Sequence, residues 1–127
     1  MRVLFDHNIP SGAARALVGH QVTEAIQRGW QRISNGQLIA NAEEAGFDVF
    51  PTADKRIRYQ QNLKGRRIAL VVIGNPTWRI LQKHLDRVTA AVEGATPGSY
   101  TEVDIPFDED RAALHGRRAP RQSSEKG

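Results

Sequence analysis

Apolar positions along the chain fall into short runs that polar turns separate. Runs of this kind predict strands at Arg2–Phe5, His20–Thr23, Phe47–Thr52, Arg67–Ile73 and Ser99–Ile105. Apolar residues at helical spacing predict helices over Ser34–Gly46 and Thr77–Val92. Cap and stop residues predict a helix over Gly12–Val18, and the basic stretch Lys55–Leu63 is also expected to be helical. Alternation of strands and helices with short loops is typical of a parallel sheet covered by helices, so the sequence predicts an α/β fold.

The strand prediction is strongest for Arg67–Ile73, because Ile68–Ile73 is apolar throughout. A strand without alternation is expected to be buried on both faces, as in a parallel sheet. The same run is the longest apolar segment and falls far short of the roughly 20 residues that span a bilayer. The first residues also lack the pattern of a signal peptide. We therefore expect a cytoplasmic protein with no membrane contact.

Polar residues at the helix starts predict caps. Ser34 and Gln37 have the Ser-x-x-Gln spacing of a capping box, with Gly46 as the stop signal of that helix. Asn8 or Ser11 is the expected cap of the helix over Gly12–Val18.

The 127 residues suffice for one domain with its own core. Composition changes near the carboxyl terminus, where charged residues replace apolar ones. We therefore predict a domain over residues 1–107 and a disordered, charged tail over residues 108–127. The chain has no cysteine, which excludes disulfides, thiol nucleophiles and cysteine-ligated metals.

The net charge of +4 is unevenly distributed. No acidic residue occurs from Lys55 to Leu85, whereas eight basic residues do: Lys55, Arg56, Arg58, Lys64, Arg66, Arg67, Arg79 and Lys83. Such a run is either an ordinary solvated surface or a phosphate-binding one.

Two acids follow strands of the predicted sheet, Asp6 after the first and Asp54 after the third. Ligands of parallel α/β sheets bind beyond the carboxyl ends of the strands. Two carboxylates that converge there repel each other and favour a cation such as Mg²⁺. The alternative is that each Asp only caps the helix that follows it.

Three segments, MRVLFDHNIP, SNGQL and FPTADKRIRYQQNLKGRR, make the chain resemble the short bacterial PIN-like proteins, relatives of the PIN-domain ribonucleases. The resemblance covers roughly residues 1–75. It implies a three-layer α/β/α sandwich around a mostly parallel sheet, with an acidic metal site over the strand ends. PIN nucleases use that site, with Mg²⁺ or Mn²⁺, to activate water against an RNA phosphodiester.

Carried over by motif, the resemblance makes Asp6 and Asp54 the catalytic, metal-binding acids. Asn8 and Asn35 are further candidate ligands, since an amide oxygen can also bind a cation. Lys55 matches the basic residue that often follows the second acid. We expect RNA contacts from the basic side chains near that acid: Lys55, Arg56, Arg58, Lys64, Arg66 and Arg67. The resemblance also suggests the toxin of a toxin–antitoxin pair, with an antitoxin protein as partner.

The chain departs from the family where many relatives carry acids, because it has the amides Asn35 and Gln37 instead. Glu43 and Glu44 are expected to face solvent rather than to replace those acids. A catalytically inactive PIN-like module that binds RNA or protein is therefore the alternative to a nuclease. A phospho-acceptor receiver domain is a third hypothesis, disfavoured because no lysine occurs between Lys83 and Lys126.

Overall fold

A computed structural model describes residues 1–57 and 65–106 of the chain. Its centre is a parallel five-stranded sheet in the order β2-β1-β3-β4-β5. The strands are β1 (Arg2–Phe5), β2 (Gln21–Glu24), β3 (Val49–Thr52), β4 (Ala69–Ile73) and β5 (Tyr100–Val103). All five lie within the strands that the sequence predicts, apart from the last residue of β2. The α/β prediction is confirmed.

Helical segments lie in the β1–β2, β2–β3 and β4–β5 connections. Within residues 1–57 and 65–106, the α-helices are α1 (Asn35–Glu44), α2 (Trp78–Leu81) and α3 (Leu85–Glu93), and 3₁₀ helices cover Ser11–Ala16 and Ala25–Arg28. None of the helices in the described ranges is long and apolar enough to cross a membrane.

Both faces of the sheet are covered by apolar side chains. On one face, Val3 and Phe5 of β1 belong to a core with Val88 and Val92 of α3. On the other, Leu4 belongs to a core with the buried side of α1. All residues of β4 are buried, as predicted for an apolar run without alternation.

The crossovers differ in hand. The β2–β3 connection through α1 and the β4–β5 connection through α2 and α3 step in the same direction across the sheet. Their helices nevertheless pack on opposite faces. The two crossovers therefore have opposite hands, although about 98% of such connections are right-handed.

Two predicted helices are corrected by the structure. The segment after β1 is a 3₁₀ helix over Ser11–Ala16 whose N-cap is Pro10, a residue without a side-chain acceptor. The two predicted caps bond elsewhere: Asn8 accepts from the Ala53 N–H, and Ser11 donates to Glu24. The helix expected over Thr77–Val92 is two helices, separated by a turn in which the His84 N–H bonds the Leu81 carbonyl. Apolar side chains of both helices pack in the same core, so the turn changes the direction of the second helix while its apolar side stays buried.

One of the two hydrogen bonds of the capping box predicted for α1 is present. The Ser34 hydroxyl accepts a hydrogen bond from the Gln37 N–H at 3.2 Å. The Gln37 side chain, however, donates to Asn41 one turn further along rather than completing the capping box.

Most of the expected helix over Lys55–Leu63 and the expected tail over residues 108–127 lie outside the described residues.

Candidate functional site

The candidate site lies at the carboxyl end of the sheet, where β1 and β3 are neighbours. In the order 2-1-3-4-5 this is the point at which consecutive connections leave in opposite directions, the usual ligand position in doubly wound sheets. Val3 pairs with Val49, so Asp6 directly after β1 lies opposite Thr52, the last residue of β3. The Asp6 N–H donates to the Pro51 carbonyl at 3.0 Å and continues the pairing.

The Asp6 carboxylate is buried, with 3% of the residue exposed. Its Oδ2 accepts a 2.6 Å hydrogen bond from the Thr52 hydroxyl, itself fully buried. Its Oδ1 accepts from the His7 N–H at 2.8 Å, and His7 Nδ1 lies 3.0 Å from the same oxygen. Asp6 therefore caps no helix, since the next one begins at Ser11 and has no side-chain cap.

Thr52 connects the two candidate acids. Its hydroxyl donates to Asp6 and accepts from the Asp54 N–H at 3.1 Å. The structure thus brings the Asp6 carboxylate and the Asp54 backbone N–H to one hydroxyl group.

Asp54 is held by protein donors on both carboxylate oxygens. Arg56 donates from Nε to Oδ1 and from Nη2 to Oδ2, both at 3.0 Å, and its backbone N–H also bonds Oδ1. Asn35 Nδ2 donates to Oδ2 at 3.1 Å. The bond from the Arg56 N–H to Asp54 Oδ1 closes a local turn. The helix that Asp54 was expected to cap lies mostly outside the described residues, so the capping alternative for Asp54 stays a prediction.

These donors lower the pKa of Asp54 far below the ordinary carboxyl range. The side-chain bonds from Arg56 have the largest effect, and partial burial opposes them. The Asn35 amide, the Arg56 N–H and the guanidinium charge lower the pKa further. Asp54 is therefore ionised throughout the physiological pH range.

The two candidate amide ligands have different positions. Asn35 is the first residue of α1 and contacts Asp54, because the cap at Ser34 starts the helix beside the end of β3. The Asn8 oxygen accepts from the Ala53 N–H at 3.1 Å and fixes the loop that carries Asp54. The structure thus places Asn35 at the carboxylates and gives Asn8 a bond within the loop.

The oxygen-rich chemistry of this set fits a hard cation such as Mg²⁺, which takes one or two carboxylates and keeps several waters. Among the described residues, no group of three or more His, Cys, Asp and Glu side chains is placed to hold a metal ion. A cation at Asp54 has to displace the Arg56 guanidinium, because that group covers both oxygens.

The described candidate RNA-binding residues lie at two opposite ends of the strands. Lys55 and Arg56 directly follow Asp54 at the carboxyl end. Arg66 and Arg67 precede β4 and so lie at its amino end, and the structure does not bring them beside Asp54. Arg58 and Lys64 lie outside the described residues.

Two glutamates have contacts that were not predicted from the sequence. Glu43, expected to face solvent, pairs with Arg66 at 3.1 Å and accepts from the N–H groups of Arg67 and Ile68, and these bonds lower its pKa against a smaller effect of burial. Glu24 ends β2 beside β1, accepts from the Ser11 hydroxyl at 2.8–2.9 Å, and forms a capping box with Gln27. The Glu24-x-x-Gln27 spacing was a readable signal for that box, whereas no local pattern marks Glu43.

No protein-family model, no curated protein and no solved structure matches this chain.

Proposed function

We propose that the chain is a PIN-like, metal-dependent endoribonuclease. The observation that supports this most is the single Thr52 hydroxyl, which bonds both the Asp6 carboxylate and the backbone of Asp54 at the strand ends. This hydroxyl holds Asp6 and the backbone of Asp54 at one end of the sheet, and carboxylate oxygens are ligands that Mg²⁺ takes.

In this proposal Asp6 and Asp54 hold Mg²⁺ or Mn²⁺, with Asn35 as the neighbouring amide. When bound, the cation supplies Lewis-acid activation of water and of the phosphodiester. Two hydrogen bonds hold the Asp6 carboxylate in one orientation, because the Thr52 hydroxyl bonds one of its oxygens and the His7 N–H bonds the other. Lys55 and Arg56 lie next to Asp54 and supply positive charge for the RNA backbone.

Sheet and helices agree with the sandwich that the resemblance implies, because apolar cores cover both faces. We extend the proposal to a three-layer PIN-like sandwich and, as the resemblance suggests, to the toxin of a toxin–antitoxin pair.

One observation favours a second function, an inactive PIN-like module that binds RNA or protein. Arg56 neutralises Asp54, and amides replace the acids that many relatives carry near α1. A site balanced by its own arginine does not require a cation.

The receiver hypothesis has weaker support. The strand order 2-1-3-4-5 also occurs in receiver domains. After β5, however, the described chain continues with Asp104, Ile105 and Pro106, and none of these supplies the lysine that holds a phosphoryl group.

Cleavage of a fluorophore-labelled, single-stranded RNA with Mg²⁺ or Mn²⁺ tests the proposal, on wild type, Asp6→Asn and Asp54→Asn. We expect metal-dependent cleavage by wild type and none by either variant, because each removes one of two charges that hold the ion. Glu44→Gln is the matched control, since it removes an exposed carboxylate at the far end of α1.

Metal-dependent thermal stabilisation of wild type without cleavage would select the binding module. No stabilisation by millimolar Mg²⁺ or Mn²⁺, together with no cleavage, would refute the proposed nuclease.

A further inference from the structure

Arg56 is placed differently from the other basic residues of the described chain. Its guanidinium forms a two-bond, fork-like pair with Asp54, and it is 77% exposed, whereas the Asp54 side chain is 16% exposed. The guanidinium thus lies on the solvent side of the carboxylate and covers the approach to it.

This pair competes with a cation. Both oxygens of Asp54 accept from Arg56, so a cation that binds them directly has to remove those bonds. The competitor within the chain is therefore the guanidinium itself.

The pair is also easy to displace. An exposed arginine loses little when it leaves a carboxylate, since water solvates its charge. A phosphodiester offers the guanidinium the same two-oxygen geometry as the carboxylate that it leaves. Arg56 can therefore exchange Asp54 for a phosphate group of the substrate.

We infer that Arg56 is a positioning residue that acts through Asp54: it covers this carboxylate in the free protein and moves to the RNA phosphate when a divalent cation takes its place. This inference rests on the proposed function, and it adds an order to the assembly of the site. Cation and RNA then favour each other's binding, and the coupling is reciprocal because it is a property of one equilibrium.

The test is calorimetric titration of Mn²⁺ into wild type, Arg56→Ala and Lys55→Ala, alone and with an uncleavable 2′-O-methyl oligoribonucleotide. Without the oligonucleotide, we expect Arg56→Ala to bind Mn²⁺ about fivefold more tightly than wild type, the effect of removing one exposed ion pair. Lys55→Ala is the matched control, because it removes the same charge at the neighbouring exposed position without removing a bond to Asp54.

With the oligonucleotide, we expect the Mn²⁺ affinity of wild type to rise and that of Arg56→Ala to change little. Arg56→Lys should resemble Arg56→Ala in its affinity for Mn²⁺ alone, since an ammonium group lacks the fork geometry. Circular dichroism checks that each variant is folded.

Each other outcome has a distinct meaning. Equal Mn²⁺ affinities of Arg56→Ala and Lys55→Ala, with wild type binding the ion, would overturn the inference and leave the metal-dependent function intact. No Mn²⁺ binding by any variant would overturn both.

Discussion

At the scale of single residues, Thr52 is the centre of the site. Its hydroxyl is fully buried and has a partner on each side, the Asp6 carboxylate and the Asp54 N–H. A buried carboxylate that loses one of its donors incurs the cost of an unmade hydrogen bond. The position is therefore sensitive to loss of the hydroxyl rather than to loss of volume.

Replacement of Thr52 by Val tests this role, because it keeps the shape and removes the hydroxyl. We expect a loss of about 2 kcal/mol in the free energy of unfolding, measured by urea denaturation. Thr52→Ser is the control, and it should lose about 0.8 kcal/mol for the missing methyl group. A loss in Thr52→Val no larger than in Thr52→Ser would show that the hydrogen bonds contribute nothing.

The charge of Asp54 gives a prediction for pH. Its folded-state pKa lies below the unfolded value near 3.8, so its ionisation stabilises the folded state above that value. The unfolding free energy of wild type minus that of Asp54→Asn should be constant from pH 7 to about pH 5. It should shrink as the pH falls through about 4 towards the folded-state pKa, as the unfolded chain takes up a proton first.

Urea denaturation between pH 2.5 and 7 measures this difference for Asp54→Asn and for Glu44→Gln, an exposed control at the end of α1. A difference for Asp54→Asn that is independent of pH would contradict the ion pair with Arg56.

At the scale of elements, α1 carries Asn35 to the site because Ser34 determines where the helix begins. The helix ends near Gly46, whose φ of +88° suits glycine and turns the chain into β3. The cap thus contributes both to stability and to the placement of the amide beside Asp54.

Ser34→Ala should cost about 1 kcal/mol in urea denaturation, the usual value for a lost N-cap, whereas Ser34→Asn should cost little because Asn also caps. Gln37→Ala should change stability by less than about 0.5 kcal/mol, because the Gln37 side chain bonds Asn41 on the helix surface rather than the cap. Equal losses in Ser34→Ala and Gln37→Ala would indicate a complete capping box in solution.

At the scale of the whole molecule, the candidate RNA-binding residues that the structure describes lie at opposite ends of the strands. Lys55 and Arg56 lie with Asp54 at the carboxyl ends of the strands, and Arg66 and Arg67 lie at the amino end of β4. Arg66 is in addition paired with Glu43. A nucleic acid that occupies the candidate site therefore meets the first pair and not the second.

Neutralising Lys55 and Arg56 together should weaken RNA binding and reduce its salt slope by about two at most, since each phosphate contact contributes about one. Neutralising Arg66 and Arg67 should leave both quantities close to wild type. Fluorescence anisotropy over a range of salt concentrations measures both. A larger effect of neutralising Arg66 and Arg67 would place the RNA at the amino end of β4.

The sequence by itself determined the strands and the approximate helices, because burial periodicity is a local property. It also indicated that Asp6 and Asp54 follow strands at the same end of the sheet, since the carboxyl ends of parallel strands lie together. The unbroken apolar run at Ile68–Ile73 was sufficient to predict a strand buried on both faces.

Only the tertiary structure decided which strands are neighbours, which face each crossover covers and which partners the site residues have. Because β4 is apolar on both faces, its sequence does not indicate which face each helix covers. In the folded chain α2 and α3 pack on the face opposite α1. The strand order then placed Thr52 against Asp6. Arg56 lies only two positions from Asp54, and the turn that the chain makes after β3 brings its guanidinium onto the carboxylate. The pairing of Arg66 with Glu43 joins residues 23 positions apart that no local spacing relates, which is the physical reason that the sequence could not predict it.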